Sequence, residues 1–137
     1  MRILIPALCA MLAATAAGAT GPRLVLELNS AEPVDDACRI SLLVENTLPG
    51  DIAALGIEAV LFDLSGKVAR LLTLDLQDAP RGRPRLRQFD LPGLECATLS
   101  RVLVNAVPVC SGAGLEPSAC LDALVPRSRV PQIEVAG

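Results

Sequence analysis

Residues 38–46 carry the clearest alternation of apolar and polar positions in the chain. The apolar side of this repeat consists of Cys38, Ile40, Leu42 and Val44. Polar side chains occupy the intervening positions except for Leu43. A period of two is typical of a β-strand with one buried face, so this segment predicts a strand that directs Cys38 into the core.

Further short apolar segments, separated by turn residues, predict more strands. They span residues 23–29, 55–64, 68–76, 85–91, 100–107 and 130–135, with a helical turn expected at 120–125. Gly66 is expected to supply the positive φ of a tight hairpin between the strands at 55–64 and 68–76. Pro131 confines the last one to a sheet edge. About seven strands with little helical periodicity predict an immunoglobulin-like antiparallel β-sandwich.

The first nineteen residues predict export. Arg2 provides a positive start, residues 3–17 are mostly apolar, and Ala17-Gly18-Ala19 offers the small residues of a cleavage site. We therefore expect a Sec-type signal peptide at 1–19, a single domain at 20–137, and a periplasmic or secreted location. Elsewhere the apolar segments are far shorter than the roughly 20 residues of a membrane helix, so no membrane span is expected.

Four cysteines follow the predicted signal peptide, which itself contains Cys9. An even number in an exported domain predicts two disulfides and allows three pairings. We favour Cys38 with Cys96, which would join an early strand to a late one, and Cys110 with Cys120, which would close a short glycine-rich segment. A zinc site is not expected, because the chain lacks a close C-x-x-C pair.

The composition argues against several classes of function. Histidine is absent, aromatic residues make up 1% of the chain, and the formal net charge is −3. Without histidine the chain lacks the commonest general base of enzymes. With few aromatic side chains to stack on bases and a negative net charge, it is not expected to bind nucleic acid. The acidic residues Glu32, Asp35 and Asp36 lack calcium-loop spacing and are interpreted as a solvated turn. We predict a protein that is not an enzyme, with no cofactor or metal.

Three short motifs occur in order along the central part of the chain. They are Val44-Glu45-Asn46, Ala59-Val60-Leu61-Phe62-Asp63 and Gly66-Lys67-Val68. This order resembles the FxLYD-type family of bacterial Ig-like domains, with Ala59 and Phe62 where that family has Phe and Tyr. The resemblance implies a small extracytoplasmic sandwich with no catalytic residues to transfer. The residues themselves predict that Asn46 caps a turn.

Four arginines recur at every second position, namely Arg81, Arg83, Arg85 and Arg87. In an extended segment all four would project from one side as a positive ridge. One interpretation is protection of a sheet edge by charge and by Pro84. The other is a contact for an anionic partner, since guanidinium groups bind phosphate or carboxylate through paired hydrogen bonds.

Taken together, these features predict an exported, non-catalytic interaction or assembly module of the bacterial envelope. Its partner would be an unidentified protein or an anionic envelope component such as a phosphorylated lipid or a glycan. The alternative is a periplasmic protein that uses its cysteines for redox chemistry or metal handling. Free thiols in the oxidised protein would favour that alternative.

Overall fold

Within residues 21–137, eight β-strands form two four-stranded sheets that pack face to face. The structure, a computed structural model, describes residues 21–137, so the predicted signal peptide at 1–19 lies outside the described residues. The strands are β1 (Leu24–Val34), β2 (Ala37–Asn46), β3 (Ile52–Asp63), β4 (Val68–Ala79), β5 (Arg85–Pro92), β6 (Leu99–Ser111), β7 (Leu124–Ser128) and β8 (Glu134–Ala136). A 3-10 turn at Cys96–Thr98 precedes β6, and a single helical turn, α1 (Ala119–Asp122), precedes β7.

The strand order is β5-β2-β1-β7 in the first sheet and β4-β3-β6-β8 in the second. The predicted immunoglobulin-like, all-β sandwich is therefore confirmed, with eight strands in place of about seven. The expected purely antiparallel pairing is wrong, however: both sheets are mixed, because β7 pairs parallel with β1 and β8 pairs parallel with β6. β1 and β7 lie far apart in sequence, so no tight hairpin forces this pair to be antiparallel.

The core between the sheets is almost entirely aliphatic. The alternation predicted for β2 is confirmed, since Cys38, Ile40, Leu42 and Val44 are all buried. The inner face of β3 is apolar as well and carries Ile52, Leu55, Ile57, Ala59 and Leu61. Removing these side chains from water is the main stabilising contribution, at roughly 25 cal/mol for each Å² of apolar surface. Within residues 21–137 no helix is long and apolar enough to cross a bilayer.

The two favoured disulfides are both formed. Cys38 lies near the start of β2 in the first sheet, and Cys96 lies in the 3-10 turn that leads into β6 of the second sheet. Their bond therefore ties the two sheets together at one end of β2. Cys110 and Cys120 join the end of β6 to α1. This second bond closes a short segment rather than linking distant strands.

Asn46 fastens the opposite end of β2. Its side chain is 1% exposed, and its Nδ2 donates to the carbonyl oxygens of Ala79 at 2.8 Å and Gly50 at 3.0 Å. Its Oδ1 accepts a hydrogen bond from the backbone N–H of Leu48 at 2.8 Å. One amide thus connects the end of β2 with the turn before β3 and with the last residue of β4. The turn-capping role predicted for Asn46 is confirmed.

The β3–β4 hairpin also forms as predicted, with Gly66 at φ +80°. Asp63 Oδ1 accepts hydrogen bonds from the Ser65 hydroxyl, the Ser65 N–H and the Lys67 N–H. The Ser65 hydroxyl, followed by the Lys67 N–H, holds the pKa of Asp63 below its usual value. The carboxylate therefore stays ionised and continues to organise the turn in mild acid.

Several element boundaries differ from those expected. β1 continues beyond residue 29, where the strand was expected to end, through a bulge between Leu28 and Ser30 to Val34, so Glu32 lies in the strand and not in the expected turn. The helical turn covers Ala119–Asp122, whereas 120–125 was expected. β7 follows it at residues 124–128, where no strand was expected. The last strand lies at a sheet edge, as Pro131 predicted, but is confined to Glu134–Ala136.

Replacing Cys38 and Cys96 together by Ala should lower the free energy of unfolding by about 4 kcal/mol in the chain-entropy model, since this bond joins residues 58 apart. The corresponding Cys110 and Cys120 variant, whose bond joins residues 10 apart, should lose about 3 kcal/mol. Urea unfolding followed by far-UV circular dichroism measures both. A larger loss for the Cys110 and Cys120 variant would contradict the expected order.

Asn46→Ala should lower the free energy of unfolding by about 2 kcal/mol, because it leaves the buried Ala79 carbonyl, the partly buried Gly50 carbonyl and the buried Leu48 N–H without this partner. Asn105→Ala is the matched control, since exposed Asn105 donates only to the Glu58 carboxylate. The control should change stability by less than about 0.5 kcal/mol. Similar melting temperatures for the two variants would show that Asn46 does not fasten this end of the sandwich.

Candidate functional site

The arginine segment lies where the two sheets meet at one open side of the sandwich. β4 is an edge strand of the second sheet, and β5 is an edge strand of the first. Residues 80–84 connect them and therefore cross from one sheet to the other. The four arginines thus lie on or beside two exposed edges, although each occupies a different environment.

Arg87 spans the gap between these edges. Arg87 lies opposite the buried Leu42 in the β2–β5 pairing, so its side chain leaves the strand on the inner face of the sheet. Its Nε donates to the Leu76 carbonyl at 2.8 Å, and its Nη2 donates to the Asp78 carbonyl at 3.1 Å and the Asp78 carboxylate at 2.8 Å. The side chain is only 17% exposed. Arg87 therefore binds the edge of β4 from the opposite sheet.

Arg70 makes the reciprocal contact from β4. It lies opposite Leu61 on the inner face of the second sheet, and its Nη2 donates to the carbonyl oxygen of Pro92 in β5 at 2.8 Å. The half-buried Leu72 and Phe89, from the same two strands, pack against the core. We refer to the Arg70 and Arg87 contacts as the arginine clamp, because together they close the open side of the sandwich.

Arg85 lies near Asp78, whose carboxylate also binds Arg87. It lies opposite Val44 on the inner face, and its Nη2 is 3.7 Å from the Asp78 carboxylate. Inward-pointing charges of this kind prevent an edge strand from pairing with another chain. For Arg85 and Arg87 the geometry agrees with edge protection.

Arg81 and Arg83 lie in a turn and not in a strand. Gly82 between them has φ +73°, and its N–H donates to the carbonyl of Asn46 at 2.9 Å. The Arg81 N–H donates to the Asp51 carboxylate at 2.8 Å. This folded backbone breaks the expected continuous ridge, so the four side chains do not share one face. The Arg81 and Arg83 side chains are exposed, and neither has an ion-pair partner within residues 21–137.

A small cleft lies beside this turn, with a volume of about 240 Å³. Its lining residues are Glu45, Asn46, Thr47, Gly82, Arg83 and Pro84. A guanidinium, a carboxylate and a hydroxyl thus line one depression. The arrangement suits a polar group that both donates and accepts hydrogen bonds, with an anionic portion near Arg83.

A larger cleft of about 440 Å³ lies at the β1–β2 turn and includes Asp35, Asp36, Glu95 and Cys96. Both aspartates are exposed, as expected for a solvated turn. In the described part of the chain no three acidic or cysteine residues converge as a metal site would require. The neighbouring Asp90 carboxylate has a lowered pKa because Arg39 donates two hydrogen bonds to it.

The four predicted cysteines are all in disulfides and are at most 9% exposed. Cys38 and Cys120 are fully buried. Attack on a disulfide requires access to one of its sulfurs. This burial favours a structural role for the cysteines.

Sequence reasoning missed the clamp residues Arg70 and Asp78. A signal was present for Arg70, since it is the only charged residue in the run from Val68 to Leu74. A charge on the inner side of an edge strand needs a polar partner, and the partner lies on the other sheet. Asp78 gave no such signal, because its role depends on how β4 and β5 approach one another.

No protein-family model matches the sequence, and no curated protein is significantly similar to it. Among solved structures, the chain is similar to the Salmonella enterica trimeric lipoprotein SadB, with 18% sequence identity and a TM-score of 0.44. The matched region covers 57% of this chain and 45% of that structure, so the chain spans less than half of its length.

Arg87→Ala should lower the free energy of unfolding by about 1 to 3 kcal/mol, because two edge carbonyls and the Asp78 carboxylate lose their shared donor. Arg83→Ala should change it by less than about 0.5 kcal/mol, since that side chain is exposed. Thermal unfolding of the two variants provides the comparison. Equal melting temperatures would contradict the conclusion that Arg87 stabilises the fold whereas Arg83 does not.

Proposed function

We propose that this chain is an exported, non-catalytic β-sandwich that acts as an interaction or assembly module in the bacterial envelope, with Arg81 and Arg83 as its contact to an anionic partner. The single observation that carries the proposal is the pair of exposed arginine side chains, which have no ion-pair partner among residues 21–137 and are held on a turn beside a polar cleft. Two neighbouring arginines on a chain of net negative charge form a local site for carboxylate or phosphate.

The backbone around this turn supports a binding role. The Gly82 N–H is bonded to Asn46, the Arg81 N–H to Asp51, and the Arg83 N–H to the Pro80 carbonyl. Because the turn is fixed to the same Asn46 that fastens β2, the two side chains extend from a rigid base. Less conformational entropy is lost when a ligand binds a rigid base than when it binds a mobile loop.

The two disulfides support the proposed location outside the cytoplasm. Disulfides form and persist in oxidising compartments such as the periplasm or the cell exterior, and they are rare in the reducing cytosol. Together with the predicted signal peptide, they favour an extracytoplasmic protein. A small aliphatic core secured by two covalent bonds also suits a module whose task is to remain folded while it holds a partner.

Affinity capture from the envelope of the host should recover an anionic partner with the oxidised protein and lose it with an Arg81→Ser, Arg83→Ser double variant. Each guanidinium contributes a charge-assisted contact, so binding should also weaken as salt is raised. Arg127→Ser serves as the control, since it removes an exposed arginine from β7.

Vesicles with phosphorylated lipid headgroups and a soluble anionic glycan should be tested in parallel, because they separate the classes of partner. Retention of the partner by the double variant would reject the arginine contact. Loss of the partner by Arg127→Ser to the same extent would show attraction by overall charge instead of a site. Arg83→Lys should bind more weakly than the unaltered protein, because an ammonium cannot form the paired hydrogen bonds of a guanidinium.

A further inference from the structure

The four sheet edges are protected to very different extents. β5 carries the inward-pointing Arg85 and Arg87, β7 has five residues including Pro126, and β8 has three residues. Each of these is a recognised way of preventing a strand from pairing with another chain. β4 also carries an inward-pointing arginine, Arg70, but it differs from the other edges in having twelve residues and no proline.

Arg87 covers only one end of the β4 edge. Its hydrogen bonds go to the carbonyls of Leu76 and Asp78, near the end of the strand. Val68–Asp75 forms the remainder, and the strand order gives it a partner on one side alone, β3. Every second residue of such a segment directs its N–H and C=O away from the sheet, which leaves them available for another strand.

An apolar row crosses the outer face of the same sheet and ends at this edge. Leu71 lies opposite Val60, Val60 lies opposite Leu103, and Leu103 lies opposite Ala136. At the edge, Leu71 is 60% exposed and Val68 is 58% exposed. The outer face of the first sheet instead carries the Arg39–Asp90 and Arg129–Glu27 ion pairs. Apolar surface and unpaired backbone therefore coincide at β4.

We propose that Val68–Asp75 pairs with the same segment of a second copy of this chain. The two β4 strands would run antiparallel about a twofold axis perpendicular to the sheet and join the second sheets of two molecules into one continuous sheet. This inference is separate from the proposed anion contact, which lies on the turn at Arg81 and Arg83.

The side chains of the segment favour a second copy as the occupant and Leu71 as the position of the axis. A twofold axis at Arg70 or Asp75 would place like charges directly opposite each other, which is destabilising. An axis at Leu71 places the most exposed leucine of the strand against its own copy and Arg70 against Leu72. It also brings Lys67 of each copy towards Asp75 of the other. Opposite charges at the two ends of one segment are self-complementary, as a twofold interface between identical chains requires.

Sedimentation equilibrium of the oxidised protein tests the pairing. The unaltered protein should show twice the monomer mass, and Leu71→Lys should show the monomer mass, because two ammonium groups would meet at the axis. Leu86→Lys is the matched control, since Leu86 is an exposed leucine, at 51%, on the protected edge strand β5. A monomeric unaltered protein, a dimeric Leu71→Lys, or a monomeric Leu86→Lys would each overturn the proposal.

Cross-linking tests the register without a disruptive charge. With the axis at Leu71, the two Cα atoms of that residue would be about 4.5 to 5.5 Å apart, within the range of a disulfide. The two Thr73 residues would be displaced by four positions, or about 13 Å along the strands. Leu71→Cys should therefore form a covalent dimer under mild oxidation, and Thr73→Cys should not. No dimer from Leu71→Cys, or equal dimer from both, would overturn the proposed pairing.

Discussion

The packing of aliphatic side chains between two sheets is the interaction on which the rest of this structure depends. The core consists of leucine, isoleucine, valine and alanine with the buried cysteines, and only Phe89 among aromatic residues packs against it. Small aliphatic side chains must interdigitate closely to fill the space between sheets, since gaps forfeit contact energy. The relative position of the two sheets is therefore tightly constrained, and β2 is fixed to the other sheet at both of its ends.

Those two attachments differ in chemistry but serve the same purpose. At one end the Cys38–Cys96 bond links β2 to the approach to β6, and at the other the Asn46 amide holds the turn before β3 and the end of β4. Asn46 also accepts, through its backbone carbonyl, the hydrogen bond that fixes the Arg81 to Arg83 turn. The surface proposed to contact a partner is thus continuous with the residue that aligns the sheets.

Much of the architecture could be predicted from local pattern, and what escaped prediction depends on the meeting of distant strands. The alternation at Cys38 to Val44 identified the core face of β2, and the Cys38–Cys96 bond is the one favoured among the pairings that the sequence allowed. The arginine repeat was correctly recognised as unusual, but spacing alone could not show that Gly82 reverses the backbone within it. Nor could spacing show that Arg87 reaches across to Leu76, because that contact requires knowledge of which edges adjoin.

The parallel pairing of β7 with β1 has a consequence for how the chain acquires its fold. Leu24 lies beside Leu124, and a few residues later β8 completes the other sheet beside β6. Residues 124–136 therefore supply an edge strand to each of the two sheets. Contacts between residues so far apart in sequence form slowly. A chain that emerges from a ribosome or a membrane pore N-terminus first cannot close either layer until that segment has emerged.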